Sequence, residues 1–368
     1  MKKTSQILLL LISSFVFPQK QFTIELTAPA FEKDSLLLVP PSSSRNILSL
    51  YNLNVQPDKS VSSIANAKGA LIRIQPQNTI SGTIPCPLPM MFLAPKEDAK
   101  SFSQSKLFFI EEGLLKIKIN DQDLSLVLSG DASVNNDYNT LKEYLLEADG
   151  KLKPFEKNDP ADIESKGKLL QAYIKKHPGS YPAFWEIVND LSKYGFYKIY
   201  LNNLPLFSNK VKTSSCFKNF EKILSLENST DVGGSFPEIN FGSEGKITKA
   251  GFADYKITLV DYWSTACKPC IQELPELVKM YEKYKDKGVN FISIADDRTQ
   301  QRIDLGHKIF KENKVLWKNY FDINKEFPRK LNAAGYPLFI LVDRNGKIIS
   351  RELGGQENLE TIIEQYLK

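Results

Sequence analysis

The chain has few of the residues that bind transition metals. Its 368 residues include only two histidines, His177 and His307. The four cysteines are Cys86, Cys216, Cys267 and Cys270. A structural zinc site needs four ligands, which usually come from paired Cys or His motifs. The chain has one CxxC pair, no second one and no HxxxH pattern, so we predict no metal.

Long hydrophobic runs are also missing. The first apolar run, Ile7–Phe17, follows Lys2 and Lys3, and it is shorter than the roughly 20 residues that span a bilayer. This pattern predicts a secretory signal peptide over residues 1–18. No cysteine precedes Cys86, which excludes a lipid-attached N-terminal cysteine. We therefore expect a soluble exported protein of the periplasm or cell envelope, with an uncleaved anchor as the alternative.

The charge balance excludes another class of partner. The formal net charge is +5, and no cluster of basic residues is interleaved with aromatic ones. Nucleic acid is therefore not predicted as a partner. The hydrophobic share of 42% is ordinary for globular proteins, and the length suffices for two or three domains with hydrophobic cores.

Periodicity divides the chain into three parts after the signal. Residues 21–138 are predicted to form a β-rich domain, because apolar and polar residues alternate in short runs between turn-forming residues. The clearest runs are Phe22–Leu26, Leu115–Ile119 and Leu124–Leu128. Residues 139–228 are predicted to be helical, with Ser180 capping one helix. The polar stretch Glu227–Ser235 is predicted to be a linker.

Residues 231–368 alternate strand and helix patterns, which predicts an α/β domain with a mainly parallel sheet and an antiparallel edge hairpin. The predicted strands are Ile257–Val260, Phe291–Ala295 and Leu338–Val342. The predicted helices begin after Cys270, near Arg298 and near Leu359.

The two cysteines of the CxxC pair lie where the first of these strands gives way to a helix. The segment Asp261–Cys270 reads DYWSTACKPC. Backbone N–H groups at a helix N-terminus favour an anionic sulfur, and the thiolate is the nucleophile of disulfide exchange. We predict that Cys267 attacks and that Cys270 resolves the mixed disulfide. Half of a zinc site and a purely structural disulfide are the alternatives.

These motifs together resemble the TlpA/ResA-like thiol-disulfide oxidoreductases of the thioredoxin superfamily. The resemblance covers residues 231–368. It rests on GGSFPEI at Gly233–Ile239, on DYWSTACKPC, on Gly335–Pro337 and on the turn Asp343–Gly346. It implies a thioredoxin-like fold, no cofactor beyond the Cys267/Cys270 disulfide, protein thiol or disulfide substrates, and a membrane-linked redox donor. The segment 107–130 more loosely resembles a β domain of unknown function that precedes thioredoxin modules in bacterial envelope proteins.

The resemblance also implies roles for further residues. Asp261 matches a buried acid beneath the disulfide, and Glu273 matches an acid on the active-site helix; either is expected to relay the Cys270 proton, since burial raises a carboxyl pKa. The alternative for Glu273 is a solvated acid in the first helical turn. Pro337 matches a cis-proline that faces the disulfide, with the Tyr336 backbone beside it to pair with substrate. An ordinary trans turn proline is the alternative.

Aromatic residues near the cysteines match the family in part. Trp263 matches a tryptophan that packs beside the site and is expected to take part in substrate binding, or it is a plain core aromatic. Ala266 stands where the family usually has a second tryptophan, which leaves the substrate range open. Pro269 matches reducing members, whereas Lys268 stabilises a thiolate and thereby favours oxidising power.

Several functions remain open at this point. We favour a protein disulfide reductase, with a disulfide oxidase or isomerase as the alternative within the same chemistry. A peroxidase is disfavoured, because Val260 stands where the PxxxTxxC pattern has its proline. A non-catalytic binding or assembly module led by the N-terminal parts is the alternative from another class. For Cys86 and Cys216, whose distance the sequence does not give, we favour two unpaired thiols.

Overall fold

The structure is a computed structural model that describes residues 20–31, 36–41, 47, 49–51, 53–55, 61–63, 72–74, 78–96, 101–148, 160–333, 335–356 and 358–368. The predicted signal peptide, residues 1–18, lies outside the described residues. None of the helices described is both long enough and apolar enough to cross a membrane.

The chain forms two compact units. One contains the described residues up to 41, Leu48–Asn189 and Leu206–Asn219, and the other contains Ile47, Asp190–Pro205 and Phe220–Lys368. The predicted helical region, 139–228, is divided between these units, and the three-part division of the chain stays a prediction.

The first unit is rich in strands. They are β1 Lys20–Thr27, β2 Leu36–Val39, β3 Asn54–Val55, β4 Val61–Ser63, β5 Ile72–Ile74, β6 Asn78–Ile84, β7 Leu88–Pro95, β8 Phe102–Gln104, β9 Phe108–Ile110, β10 Gly113–Ile119 and β11 Leu126–Gly130. One sheet has the order β11-β10-β1-β6-β3 and the other β4-β5-β2-β7-β8, with β9 beside β7. The alternating residues Phe22, Ile24 and Leu26 of β1 are all buried, as the period of two predicts.

Helices follow these strands. They are α1 Ser133–Ala148, α2 Pro160–Lys176, α3 Tyr181–Tyr194, α4 Lys198–Asn203, α5 Asn209–Lys212 and α6 Ser215–Thr230. The buried Glu111 carboxylate accepts the backbone N–H of Val134 at 3.0 Å and so satisfies a free donor at the start of α1. Ser180 accepts the Ala183 N–H at 3.2 Å, which confirms the predicted cap of α3.

Cys86 and Cys216 form a disulfide, so the prediction of two unpaired thiols was wrong. Their Cα atoms lie 6.2 Å apart although 130 residues separate them in the sequence. The turn between β6 and β7 carries Cys86, and the Trp185 indole N–H donates to the Pro87 carbonyl in that turn across 2.7 Å. The turn that carries Cys86 and the helix α6 that carries Cys216 come together only when the chain folds, so the sequence alone does not show that the two cysteines are close. Closing so long a loop is worth on the order of 4–5 kcal/mol in the chain-entropy view.

The second unit contains the predicted α/β domain. Its strands are β12 Ile239–Asn240, β13 Lys246–Ile247, β14 Ile257–Trp263, β15 Val289–Ala295, β16 Lys318–Phe321, β17 Leu338–Asp343 and β18 Ile348–Leu353. Its helices after α6 are α7 Lys249–Phe252, α8 Lys268–Tyr284, α9 Gln300–Glu312, α10 Glu326–Leu331 and α11 Leu359–Leu367. The predicted strands and helices are confirmed, whereas β13, β16, α7 and α10 were not predicted.

The main sheet of this unit has the order β16-β15-β14-β17-β18. Strand β14 runs parallel to β15 and antiparallel to β17, β15 runs parallel to β16, and β17 runs antiparallel to β18. The sheet is therefore evenly mixed rather than mainly parallel, because the C-terminal hairpin supplies two of its five strands. This corrects the predicted proportion of parallel pairs.

Strand β14 is buried at every position, because hydrophobic clusters cover both faces of the sheet. Ile257, Leu259 and Trp263 pack in the cluster that also contains both CxxC cysteines. Val260 and Tyr262 pack in the cluster on the other side. Side chains alternate along a strand, so Asp261 lies on the face of the cysteines.

The predicted linker Glu227–Ser235 is not a free connection. Its first four residues belong to α6, which ends at Thr230. The backbone N–H of Gly233 donates to the Ile348 carbonyl at 2.8 Å, and that of Phe236 donates to the Gly346 carbonyl at 2.8 Å. The polar composition reflected exposure, but these backbone hydrogen bonds attach the segment to the hairpin of β17 and β18.

Candidate active site

The two cysteines of the CxxC pair are joined by a disulfide at the start of α8. Their Cα atoms lie 5.3 Å apart, and both residues are buried, Cys267 at 6% and Cys270 at 4% exposure. Cys267 is the N-cap of α8, and its Sγ accepts the backbone N–H of Cys270 across 3.2 Å. An anionic sulfur at this position is therefore favoured by a hydrogen bond and by the helix dipole.

A tight turn carries the chain from β14 into α8. The Cys267 N–H donates to the Ser264 carbonyl at 2.9 Å, and the Ala266 N–H donates to the Ser264 hydroxyl at 3.2 Å. Pro269 lies in the first helical turn, where its missing N–H leaves no hydrogen bond unmade. The sequence thus places the reactive sulfur at the carboxyl end of a buried strand.

Asp261 is buried on the face of the sheet that carries the cysteines, with 3% of its surface exposed. The Ser293 hydroxyl of β15 donates to its Oδ2 at 2.8 Å, and the Trp317 indole N–H donates to the Ser293 oxygen at 2.8 Å. Burial raises the pKa of Asp261 to about 7, against the lowering effect of the Ser293 hydrogen bond. A carboxyl with this pKa exchanges protons readily near neutral pH.

Glu273 lies on α8, three residues after Cys270, and is partly buried rather than fully solvated. Its Oε2 atom is shielded from solvent. The Glu273 charge is a further cause of the raised pKa of Asp261. The two carboxyls therefore interact, and their protons leave in steps that belong to the pair.

The peptide bond between Tyr336 and Pro337 is cis, which confirms the predicted conformation. The Pro337 carbonyl accepts the Gly354 N–H at 2.9 Å, which ties the start of β17 to the end of β18. The Tyr336 ring is partly exposed and packs edge-on against Tyr262, with centroids 5.8 Å apart. Substrate binding by Tyr336 and Pro337 stays a prediction.

The structure places Trp263 in the core, with 1% of its surface exposed. Its ring stacks on Phe310 with centroids 5.0 Å apart, and its indole N–H donates to Asn319 at 3.1 Å. Trp263 thus packs in the same buried cluster as the two cysteines, and substrate binding by Trp263 stays a prediction. The exposed residues next to the disulfide are Ala266, Lys268 and Pro269.

The site is built for sulfur chemistry. It combines a disulfide at a helix N-terminus with a buried carboxyl of pKa about 7 on the same face of the sheet. Within the described ranges, no group of three or more His, Cys, Asp or Glu side chains is arranged to hold a metal ion.

Known proteins share this region of the chain. The family model described as Redoxin matches residues 231–367. A thiol-disulfide oxidoreductase ResA from Bacillus cereus is 30% identical over 154 residues, which cover 41% of this chain and 86% of the relative. The chain belongs to the ResA-like thiol-disulfide oxidoreductases.

Other ResA-like proteins agree with this assignment. The ResA of Bacillus thuringiensis subsp. konkukian is 29% identical over 154 residues, which cover 41% of this chain and 86% of the relative. Among solved structures, the thioredoxin domain of a thiol-disulfide oxidoreductase from Bacteroides vulgatus is 30% identical. The match covers 37% of this chain and 98% of the solved chain, with a TM-score of 0.33. The ResA relatives and the Redoxin match identify this ResA-like chain as a thiol-disulfide oxidoreductase with a thioredoxin-like C-terminal domain, and they concern that domain.

Sequence reasoning missed Asp297, which holds the turn before Cys267 in this ResA-like site. The buried carboxylate accepts the Thr265 N–H at 2.8 Å, the Thr265 hydroxyl at 3.0 Å and the Ser264 hydroxyl at 3.2 Å. Arg302 of α9 donates to the same Thr265 hydroxyl at 3.1 Å. These contacts fix the backbone that leads to the reactive sulfur.

A signal for this residue was present in the sequence. The acids Asp296 and Asp297 directly follow the apolar strand Phe291–Ala295. Strand β15 runs parallel to β14, so its carboxyl end lies beside the CxxC turn, at the edge of the sheet where functional groups of α/β proteins gather.

We expect Asp297→Asn to loosen this turn. The amide is uncharged and retains a single acceptor oxygen, so charge-assisted hydrogen bonds to buried donors are lost. The free energy of unfolding should fall by about 1.5–3 kcal/mol, measured by urea denaturation of the oxidised protein. Asp304→Asn, an exposed change on α9, is the control and should stay within about 0.5 kcal/mol of wild type. Equal stability of the two variants would remove Asp297 from this structural role.

Proposed function

We propose that this oxidoreductase is an exported protein disulfide reductase of the cell envelope. The observation that carries the proposal is the Cys267–Cys270 disulfide at the N-terminus of α8, on the face of the sheet that also carries the buried Asp261. The basic start and short apolar run of residues 1–18 support export. Pro269 between the cysteines, with no histidine there, supports the reducing direction through the family resemblance.

The reaction that we propose transfers two electrons from the reduced CxxC pair to a protein disulfide. The Cys267 thiolate attacks one substrate sulfur, which forms a mixed disulfide and releases the other substrate sulfur as a thiolate. The Cys270 thiol then loses its proton, and its sulfur attacks Cys267. This step forms the Cys267–Cys270 disulfide and releases the second substrate thiolate.

Asp261 and Glu273 serve the second step in this proposal. The Cys270 thiol is buried and must lose a proton before it attacks, and Asp261 with its pKa of about 7 accepts that proton at neutral pH. Tyr336 and Pro337 hold a substrate segment across the disulfide. A membrane-linked donor returns two electrons and two protons to the oxidised pair.

Insulin reduction tests this activity. The purified full-length protein should accelerate the precipitation of reduced insulin chains in the presence of dithiothreitol, because exchange through Cys267 outpaces direct attack by the small thiol. The measurement is turbidity against time, with the protein alkylated after reduction as the control. A rate equal to that of dithiothreitol alone would contradict the proposed activity.

A further inference from the structure

Two helices of the C-terminal unit end beside the same arginine. Helix α6 ends at Thr230, and α10 ends at Leu331. Arg351 of β18 donates from Nη1 to the Thr230 carbonyl at 3.0 Å, and from Nη2 to the Leu331 carbonyl at 2.7 Å and the Asn332 carbonyl at 3.3 Å. The last carbonyls of a helix have no partner within the helix, and a cation there is favoured by the helix dipole.

Glu227 and Asn332 complete this arrangement. The Asn332 side-chain amide donates to the Glu227 carboxylate. Burial raises the pKa of Glu227, and the Arg351 charge opposes that rise. Asn332 has a backbone φ of 45°, a left-handed conformation that asparagine adopts more readily than most residues. We call Arg351, Glu227 and Asn332 the Arg351 cluster.

The Arg351 cluster lies next to Tyr336 and Pro337, the predicted substrate-binding residues. We call these two residues the substrate loop. Leu331 and Ala333 are buried in the hydrophobic cluster on which the Tyr336 ring packs. Arg351 is paired with Ile340 in the β17–β18 ladder. The guanidinium therefore connects α6, the segment before Tyr336, and the hairpin that follows Pro337.

We propose that Arg351 is a positioning residue for protein substrates. It holds the carbonyls of Leu331 and Asn332, and through the packing of this segment it sets the place of Tyr336 beside the disulfide. The inference rests on the proposed function, because it takes Tyr336 and Pro337 as the substrate-binding residues. It also makes the last turn of α6, which precedes the region matched by the Redoxin model, a working part of the redox domain.

Arg351→Gln in the full-length protein tests the inference. A glutamine amide cannot reach three carbonyls, so the loop shifts, and small displacements of a binding group cost one to two orders of magnitude in rate. We expect the KM for insulin to rise about tenfold. The rate at which the reduced protein reacts with 5,5′-dithiobis(2-nitrobenzoate) should stay within about twofold, because this small disulfide needs no substrate loop.

Matched variants separate positioning from general damage. Arg344→Gln removes an exposed arginine of the same hairpin and should leave both rates unchanged. Asn332→Gly removes only the side chain, since glycine accepts the positive φ, and should raise the KM in the same direction if Arg351→Gln fails to fold. The insulin KM of Arg351→Lys should lie between those of wild type and Arg351→Gln. The lysine ammonium keeps the positive charge but reaches fewer carbonyls.

Two results would overturn the inference. An unchanged insulin KM in both Arg351→Gln and Asn332→Gly would show that the cluster does not position the loop. An equal loss with insulin and with the small disulfide would show a merely structural role. If the wild-type protein itself fails to reduce insulin while its reduced cysteines react with the small disulfide, the proposed function fails instead.

Discussion

We expect Cys267→Ser to abolish insulin reduction by this protein, whereas Cys270→Ser should stop the reaction at a mixed disulfide with the substrate. The difference follows from the geometry at the start of α8. The Cys267 sulfur accepts the Cys270 N–H at the N-cap position, so the attacking thiolate forms there. Without Cys270 the first exchange still occurs, but no thiol is placed to break the mixed bond.

The measurement is turnover of insulin together with non-reducing electrophoresis of the trapped products. We expect Cys267→Ser to fall to the rate of dithiothreitol alone and Cys270→Ser to accumulate a species that reductant releases. The double variant Cys86→Ser, Cys216→Ser is the control, because that disulfide lies in the other unit; it should keep its turnover. Equal residual turnover in both single variants would contradict the exchange mechanism.

We expect Asp261→Asn to gain stability relative to wild type as the pH rises, and so to lose part of the pH dependence of the free energy of unfolding. The pKa of Asp261 is about 7 in the folded protein against an ordinary 3.8. Between these values the folded chain keeps a proton that the unfolded chain releases, so ionisation lowers the free energy of unfolding as pH rises. One pKa unit corresponds to about 1.4 kcal/mol, which sets the scale at a few kcal/mol.

Denaturation of the oxidised protein at pH 4, 6 and 8 measures this effect through the transition of the C-terminal unit. The stability of Asp261→Asn relative to wild type should rise by a few kcal/mol between pH 4 and pH 8. Asp254→Asn, an exposed change in the turn before β14, should show no such trend. Parallel curves of unfolding free energy against pH for wild type and Asp261→Asn would show that folding does not raise the pKa of Asp261.

Asp261→Asn should also slow insulin reduction. If Asp261 accepts the Cys270 proton, its loss removes a general base, an effect of about 10²-fold or more on a proton-transfer step. The pH–rate profile of insulin reduction should lose an inflection near pH 7. An unaltered profile would leave Asp261 as a structural residue.

The elements that carry the site could be predicted because they are local. The apolar run before Asp261, the N-cap position of Cys267 and the period of α8 are each set by neighbouring residues. The cis bond at Pro337 came from the motif resemblance rather than from periodicity. For the periodic elements and for the motif alike, the residues that allow the prediction lie within a short stretch of sequence.

The features that escaped prediction depend on contacts between distant residues. The partner of Cys86 is fixed by packing across 130 residues. The role of Asp297 appears only when β15 lies beside β14, and Arg351 acquires its partners only where two helices end together. Strand β16 and helix α10 are short, so too few residues repeat to show a period.

The reduction potential of the Cys267–Cys270 pair tests the reductase proposal most directly. The full-length protein is equilibrated with glutathione or dithiothreitol buffers, quenched with acid and alkylated, and the CxxC peptide is quantified by mass spectrometry. We expect a potential near that of thioredoxin, about −270 mV, because Pro269 without a histidine resembles reducing members. A potential above about −180 mV would contradict a reductase and favour the oxidase or isomerase alternative.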